Sequence, residues 1–164
     1  MRLSKRGEYG LRAMILLAGP CQPNTPLPVL QIKEISQRER IPGKFLEQIL
    51  LMLKNAGLLH SKMGIGGGYY LAKQPSEITL GQIFRVLDGH LAPLRCVSQT
   101  AYEPCGCPDE RTCGLRMVMG NVRTAISDVL DLTTLEDVKK WQNSVQDTPD
   151  ASAPKTTMLD PISC

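Results

Sequence analysis

Residues 43–56 carry Phe45, Leu46, Ile49, Leu50 and Leu53 at helical spacing. A helix with one apolar face needs that face covered, so this stripe demands a neighbour. Gly57 stands where a C′ glycine ends a helix, and Pro42 suits the entry to its first turn. Just upstream, Leu30, Ile32 and Ile35 form the buried side of a shorter helix ending near Arg38, which leaves residues 39–42 for a tight turn. Two helices joined this way make a helix-turn-helix, whose second helix enters the major groove of DNA. An ordinary helical hairpin has the same pattern. Lys44, Glu47 and Gln48 are the early, solvent-facing residues of the second helix.

The next stretch favours DNA. LLHSKM reads as a strand, GIGGG as a turn and YYLAK as a second strand. Glycines between apolar runs suit a hairpin that needs positive φ. A hairpin directly after a helix-turn-helix is the wing of a winged helix, and Lys62 and Lys73 flank it within reach of phosphates. A nucleotide-binding loop is excluded, because no Gly-Lys-Ser/Thr follows and the glycines do not open a helix. Residues 1–72 hold ten Lys/Arg against four Asp/Glu, whereas residues 73–164 hold nine against twelve. The basic half fits a polyanionic partner.

Elsewhere the pattern is helical. Residues 3–18 form a first helix with Ser4 as N-cap and Leu11, Met14, Ile15 and Ala18 inward; Gly19-Pro20 ends it. Its basic start resembles a signal peptide, but the apolar part is short, is broken by Glu8 and Arg12, and lacks a clear cleavage site. With no long apolar run for a membrane span, the expected location is the cytoplasm. Four prolines make residues 20–28 a loop. Residues 79–88 form a helix capped by Thr79, with Ile83, Phe84, Val86 and Leu87 buried and Gly89 closing it. Residues 114–131 form a long helix whose Leu115, Val118, Val122, Ala125, Ile126 and Val129 suit pairing with a second subunit. Thr134 caps a short helix over 135–145. Residues 147–164 read as a disordered tail. Cys21 and Cys164 receive no role.

The resulting architecture is mainly α with a small β-hairpin. A winged helix-turn-helix spans 1–75, a connecting helix and cysteine-rich loop 76–113, and a dimerisation helix with a short C-terminal helix 114–146. Within the loop, Cys96, Cys105, Cys107 and Cys113 make four of the six cysteines. In a reducing compartment such a cluster binds metal or senses redox state. The spacing is not that of a zinc ribbon. Thiolates suit an iron–sulfur cluster, a structural zinc or a thiol switch, and spacing leaves all three open. No Ser-His-Asp or paired-acid set exists, and His60 and His90 have no evident partners in sequence, so an enzyme is not expected.

The segments MRLSKRGEYGLRAM, FLEQILLMLKNAGLL, GIGGGYYLAK and ITLGQIFRVLDG resemble, in that order, the Rrf-type family of bacterial winged-helix regulators, which includes the cluster regulator IscR and the nitric-oxide sensor NsrR. The resemblance covers residues 1 to about 140. It implies a homodimer on palindrome-like operator DNA, without a membrane or small-molecule substrate. It also implies an iron–sulfur cluster held by three cysteines, with [2Fe-2S] expected ahead of [4Fe-4S]. The family's five-residue gap in the final pair picks Cys107 and Cys113, with Cys96 first and Cys105 as the alternative ligand. IscR-like members carry a His three residues after the last cysteine, where Arg116 stands here. NsrR-like members use a carboxylate from the partner's first helix, and Glu8 holds that position; a surface pair with Arg12 is its other role. Met63 replaces an arginine of IscR-like wings. The expected DNA contacts are Lys33, Lys44, Phe45, Glu47, Gln48, Lys62, Gly66 and Gly67.

Overall fold

The structure is a computed structural model, describing residues 3–19 and 26–146. Cys21, Cys164 and the expected tail over 147–164 lie outside the described residues. Among the described residues, six α-helices and one hairpin follow in order: α1 (Lys5–Leu17), α2 (Ile32–Glu39), α3 (Gly43–Asn55), β1 (Leu59–Lys62), β2 (Gly68–Leu71), α4 (Leu80–Asp88), α5 (Gly114–Leu132) and α6 (Leu135–Gln146).

Ser4 caps α1 by accepting the Gly7 N–H at 3.0 Å. Its hydroxyl and amide also bond Asp88 at the end of α4. Gly7 and Gly10 face α4 so closely that a Cβ at Gly10 would lie 2.1 Å from Leu87 Cδ1. The stripe of α3 is buried as expected: Leu46, Ile49, Leu50 and Leu53 are fully covered. Each such burial stabilises by roughly 1.5–3 kcal/mol. The α3 terminus is closed by Gly57 at φ 74°, with Leu58 N–H donated to Leu53 O at 3.0 Å. Between α2 and α3, Arg40 takes a left-handed φ of 52° and Ser36 Oγ donates to Ile41 O at 2.6 Å. That bond fixes the turn of the helix-turn-helix.

Leu30 departs from expectation. It lies before α2 rather than in it, in an extended bridge with Tyr69. The two residues exchange both backbone hydrogen bonds, at 3.0 and 2.8 Å. Pro26 and Pro28 precede it and disfavour helix, so the chain reaches the wing extended and adds a third, one-residue strand. Gly68 permits this approach, because a Cβ there would lie 2.4 Å from Leu30 O. The first helix likewise begins two residues later than the 3–18 span, since Ser4 is spent as its cap. In the wing, β1 pairs antiparallel with β2 in the register Leu59↔Leu71 through Lys62↔Gly68.

The core does not stop at the wing. Ile83 and Leu87 of α4 join it, as do Ile78 and Leu135. Leu135 arrives by a clip: Thr79 bridges Thr134, Leu80 N–H is donated to Thr133 O at 2.9 Å, and Leu135 N–H to Ile78 O at 3.0 Å. Arg85 of α4 grips Asp131 of α5 in a two-pronged pair at 2.5 and 2.7 Å. Gly81 leaves room for it, since a Cβ there would lie 1.9 Å from Asp131 Oδ1. By contrast α5 buries none of its residues. Its apolar stripe is open to solvent, with Val118 at 56% and Val129 at 65% exposure.

Candidate functional site

Two regions carry chemistry. The first is the face formed by α2, α3 and the wing. Lys33 on α2 and Lys44, Glu47 and Gln48 on α3 are all exposed. Phe45 is half-buried; its ring meets Tyr9 of α1 edge-on at 5.9 Å. Arg12 sits over the other partner of this contact, 5.7 Å from the Tyr9 ring. The same guanidinium donates to the Glu39 carboxylate at 3.0 Å and to the Glu39 carbonyl. Thus α1 holds both helices of the motif in place. In the wing turn, Gly64 and Gly66 have φ of 93° and 76°. A Cβ at Gly67 would lie 2.4 Å from Lys62 O. The turn therefore needs its glycines, and it presents Lys62, Met63 and Ile65 outward, with Met63 91% exposed. His60 packs against Tyr70 across the strands, ring centroids 5.6 Å apart.

The second region is the cysteine loop between α4 and α5. A single 3-10 turn, Arg95–Val97, is its only helical piece. Cys96 sits in that turn and is buried; Cys105, Cys107 and Cys113 are half-buried, and all four thiols are free. Cys107 lies 3.8 Å from Cys113, sulfur to sulfur, and the thiols of Cys96, Cys105 and Cys107 influence one another's ionisation. Burial pushes the Cys96 thiol pKa up, and its bond to Cys105 adds to the rise. Cys105 shifts the other way, chiefly because Cys107 donates to its sulfur. Cys107 is correspondingly pushed up to about 12, above all by the same bond to Cys105. Of these three shifts, only that of Cys105 favours the thiolate.

Glu110, which the sequence did not single out, organises the loop. It accepts the Tyr102 hydroxyl at 2.5 Å and the Cys105 N–H at 3.1 Å. The Tyr102 bond is the main reason its carboxyl is held below the usual range. Arg116 of α5 donates to Cys96 O and Glu110 O, both at 3.3 Å, and so ties both ends of the loop to the helix. His90 adds a bond to Thr100 Oγ1 at 2.7 Å. Glu8 stands elsewhere, paired with Lys5 at 2.7 Å and Arg12 at 3.6 Å within its own helix.

The thiols suit a soft metal centre in part. In a tetrahedral site with metal–sulfur bonds of about 2.3 Å, neighbouring sulfurs stand about 3.8 Å apart. Cys107 and Cys113 already have that separation. No three His, Cys, Asp or Glu side chains among the described residues converge as an ion would require. The same 3.8 Å is the length of an ordinary S–H···S contact, so the pair fits two neighbouring thiols as well as two metal-bound ones.

Residues 3–140 match the family model Rrf2, described as an iron-dependent transcriptional regulator. The chain belongs to the Rrf2 family. An rrf2-like HTH-type regulator of Rhodobacter capsulatus is 39% identical over 137 residues, covering 83% of this chain and 91% of the relative. CymR of Bacillus subtilis is 35% identical over 152 residues, covering 90% and 96%. The structure of CymR, named the global cysteine regulator of B. subtilis, superposes with a TM-score of 0.69 at 34% identity, covering 86% of this chain and 98% of CymR. T. potens IscR superposes with a TM-score of 0.67 at 30% identity, covering 93% and 94%. This Rrf2 protein is thus a winged-helix transcriptional regulator of the DNA-binding HTH type. The relatives named above are transcriptional regulators. Among the described residues of this Rrf2 chain, no helix is long and apolar enough to cross a membrane.

Proposed function

We propose that this Rrf2 regulator is a cytoplasmic homodimer whose binding to a palindrome-like operator is governed by an iron–sulfur cluster on the cysteine loop. The observation that carries this reading is the 3.8 Å sulfur–sulfur approach of Cys107 and Cys113 on a loop that also holds the free thiols of Cys96 and Cys105. Cys96, Cys107 and Cys113 are the proposed ligands, with Cys105 as the alternative to Cys107. Likeness to T. potens IscR supports the assignment. Glu8 of the partner subunit is the proposed fourth ligand and would exchange its pairs with Lys5 and Arg12 for the metal. Three thiolates and one carboxylate suit either [2Fe-2S] or [4Fe-4S], and [2Fe-2S] is the cluster proposed. Bound there, the cluster would supply redox- and nitric-oxide-sensitive chemistry.

The protein's own residues would convey its state. Arg116 joins the loop to α5, α5 pairs the subunits through Leu115, Val118 and Val122, and the pairing sets the spacing of the two α3 helices. Half-sites about one helical turn apart require a fixed spacing. Lys44, Phe45, Glu47 and Gln48 would then meet the major groove. Lys33, Lys62, Gly66 and Gly67 would approach the backbone and the neighbouring groove.

Purification without oxygen should yield coloured protein containing iron and sulfide, with operator binding that changes when the cluster is lost. Protein isolated this way with zinc and no sulfide would sink the proposal. A second reading, a thiol switch, is favoured by the 3.8 Å approach of Cys107 to Cys113 and by likeness to the cysteine regulator CymR. In it, hydrogen peroxide takes two electrons and two protons from the pair, giving a disulfide and two waters. Iron-free protein whose operator binding responds to peroxide would establish that reading.

A further inference from the structure

Between the cysteine loop and the inner face of α5 lies an open cleft of about 370 Å³. That volume is in the range of small-molecule sites. Its walls carry three arginines, Arg111, Arg116 and Arg123, against one carboxylate, Glu110. Glu110 is occupied, accepting from Tyr102 and from the Cys105 amide. Arg116 donates to two neutral carbonyls and also stands near enough to the Glu110 carboxylate to help depress its pKa, so one carboxylate faces three guanidinium groups. Arg111 lies at the rim, 3.8 Å from Asp109.

Arg123 is the most telling of the three. Its Nη2 donates to Thr124 Oγ1 at 3.0 Å. Its Nε is shielded from solvent and has no hydrogen-bond partner. A buried N–H left unpaired costs free energy, and native structures rarely keep one without a reason. Gly120 lies one turn before Arg123 on the same face, and a Cβ there would meet nothing within 4 Å. The space between Arg116 and Arg123 is therefore open, and Val97, Tyr102 and Met117 give it an apolar side.

We propose that this cleft binds a small organic carboxylate, with Arg116 and Arg123 as the oxyanion-binding forks and Val97, Tyr102 and Met117 against the ligand's carbon body. Guanidinium forks match a carboxylate in two-point fashion, and the ligand would give Arg123 Nε its missing acceptor. The site lies on the α5 face turned toward the loop, away from the Val118–Val122 stripe. Cys96 also lines the cleft, so the site shares the cysteine loop with the proposed cluster, and its test is read in protein of measured iron and sulfide content.

Isothermal titration of the full-length protein with succinate, in chloride buffer, tests this directly. The expected result is saturable binding of one succinate per chain, weakened tenfold or more in Arg123→Gln and unchanged in Lys139→Gln. Gly120→Leu fills the open space without altering charge and should weaken binding equally. It decides the matter if circular dichroism shows Arg123→Gln to be unfolded. Inorganic phosphate is the second probe. Binding of phosphate as tight as that of succinate would overturn the role given to the organic body. No saturable binding, or binding indifferent to both variants, would overturn the site itself. Iron and sulfide measured on the same samples keep this outcome separate from that of the cluster proposal.

Discussion

A Cβ added at Gly10 would press on Leu87 Cδ1 at 2.1 Å and on Ile49 Cγ2 at 3.2 Å. Both neighbours are fully packed, so Gly10→Ala should destabilise by about 1–3 kcal/mol, as overpacking does. Urea denaturation checks this, and a gain in stability would show that α1 and α4 have slack. Asp131 makes a prediction in pH. Its two-pronged hydrogen bond to Arg85 is the main cause of its depressed pKa. A depressed carboxylate contributes stability above its unfolded pKa of about 3.9 and loses it as pH falls through the folded value. Asp131→Asn should therefore lower the urea midpoint at pH 7, with the gap to the parent closing in acid. Both partners are more than a third exposed, so the effect should stay below about 1 kcal/mol. At the thiols, Cys107→Ser should abolish iron retention while Cys105→Ser keeps it. The reverse would make Cys105 the ligand.

At the scale of elements, α5 is the exposed one. Its stripe of Leu115, Val118, Val122 and Val129 has no cover among the described residues. Replacing Val118 and Val122 together by Asp should give a monomer in analytical ultracentrifugation with the melting temperature of the winged head preserved, because neither residue belongs to the core. A dimer surviving the change would move the interface elsewhere. Elements of this kind were legible in the sequence, since periodicity reports which face is apolar: α3, α4, α5 and the hairpin fall where their patterns put them. Leu30 was misplaced because a single apolar residue before a helix looks like its first turn. Only Tyr69, 39 positions on, tells it to stay extended. Glu110 was missed for a related reason. An acid in a polar loop has no pattern, and its role depends on Tyr102 and Cys105 folding back onto it. Glycines 7 and 10 were visible as letters, but their reason, contact with α4, lies at the far end of the winged head.

For the whole molecule, the informative residue is Leu135. It is fully buried in a core made mostly of residues before position 90. Leu135→Ala should cost about 2–5 kcal/mol, read as a fall in the melting temperature of the entire winged head. A separate, unshifted transition for the head would show that the C-terminal helices fold apart from it. The clip formed by residues 78–80 and 133–135 has one more consequence. It anchors one end of α5 to the DNA-binding head, helped by Arg85 and Asp131. The other end begins next to Cys113, about 28 Å away for 19 residues. A rigid rod pinned at one end can only swing. The clip is then a fulcrum and the cysteine loop the handle: a push of 2–3 Å at Cys113 turns the rod by about 5°, and the subunit paired along it turns too.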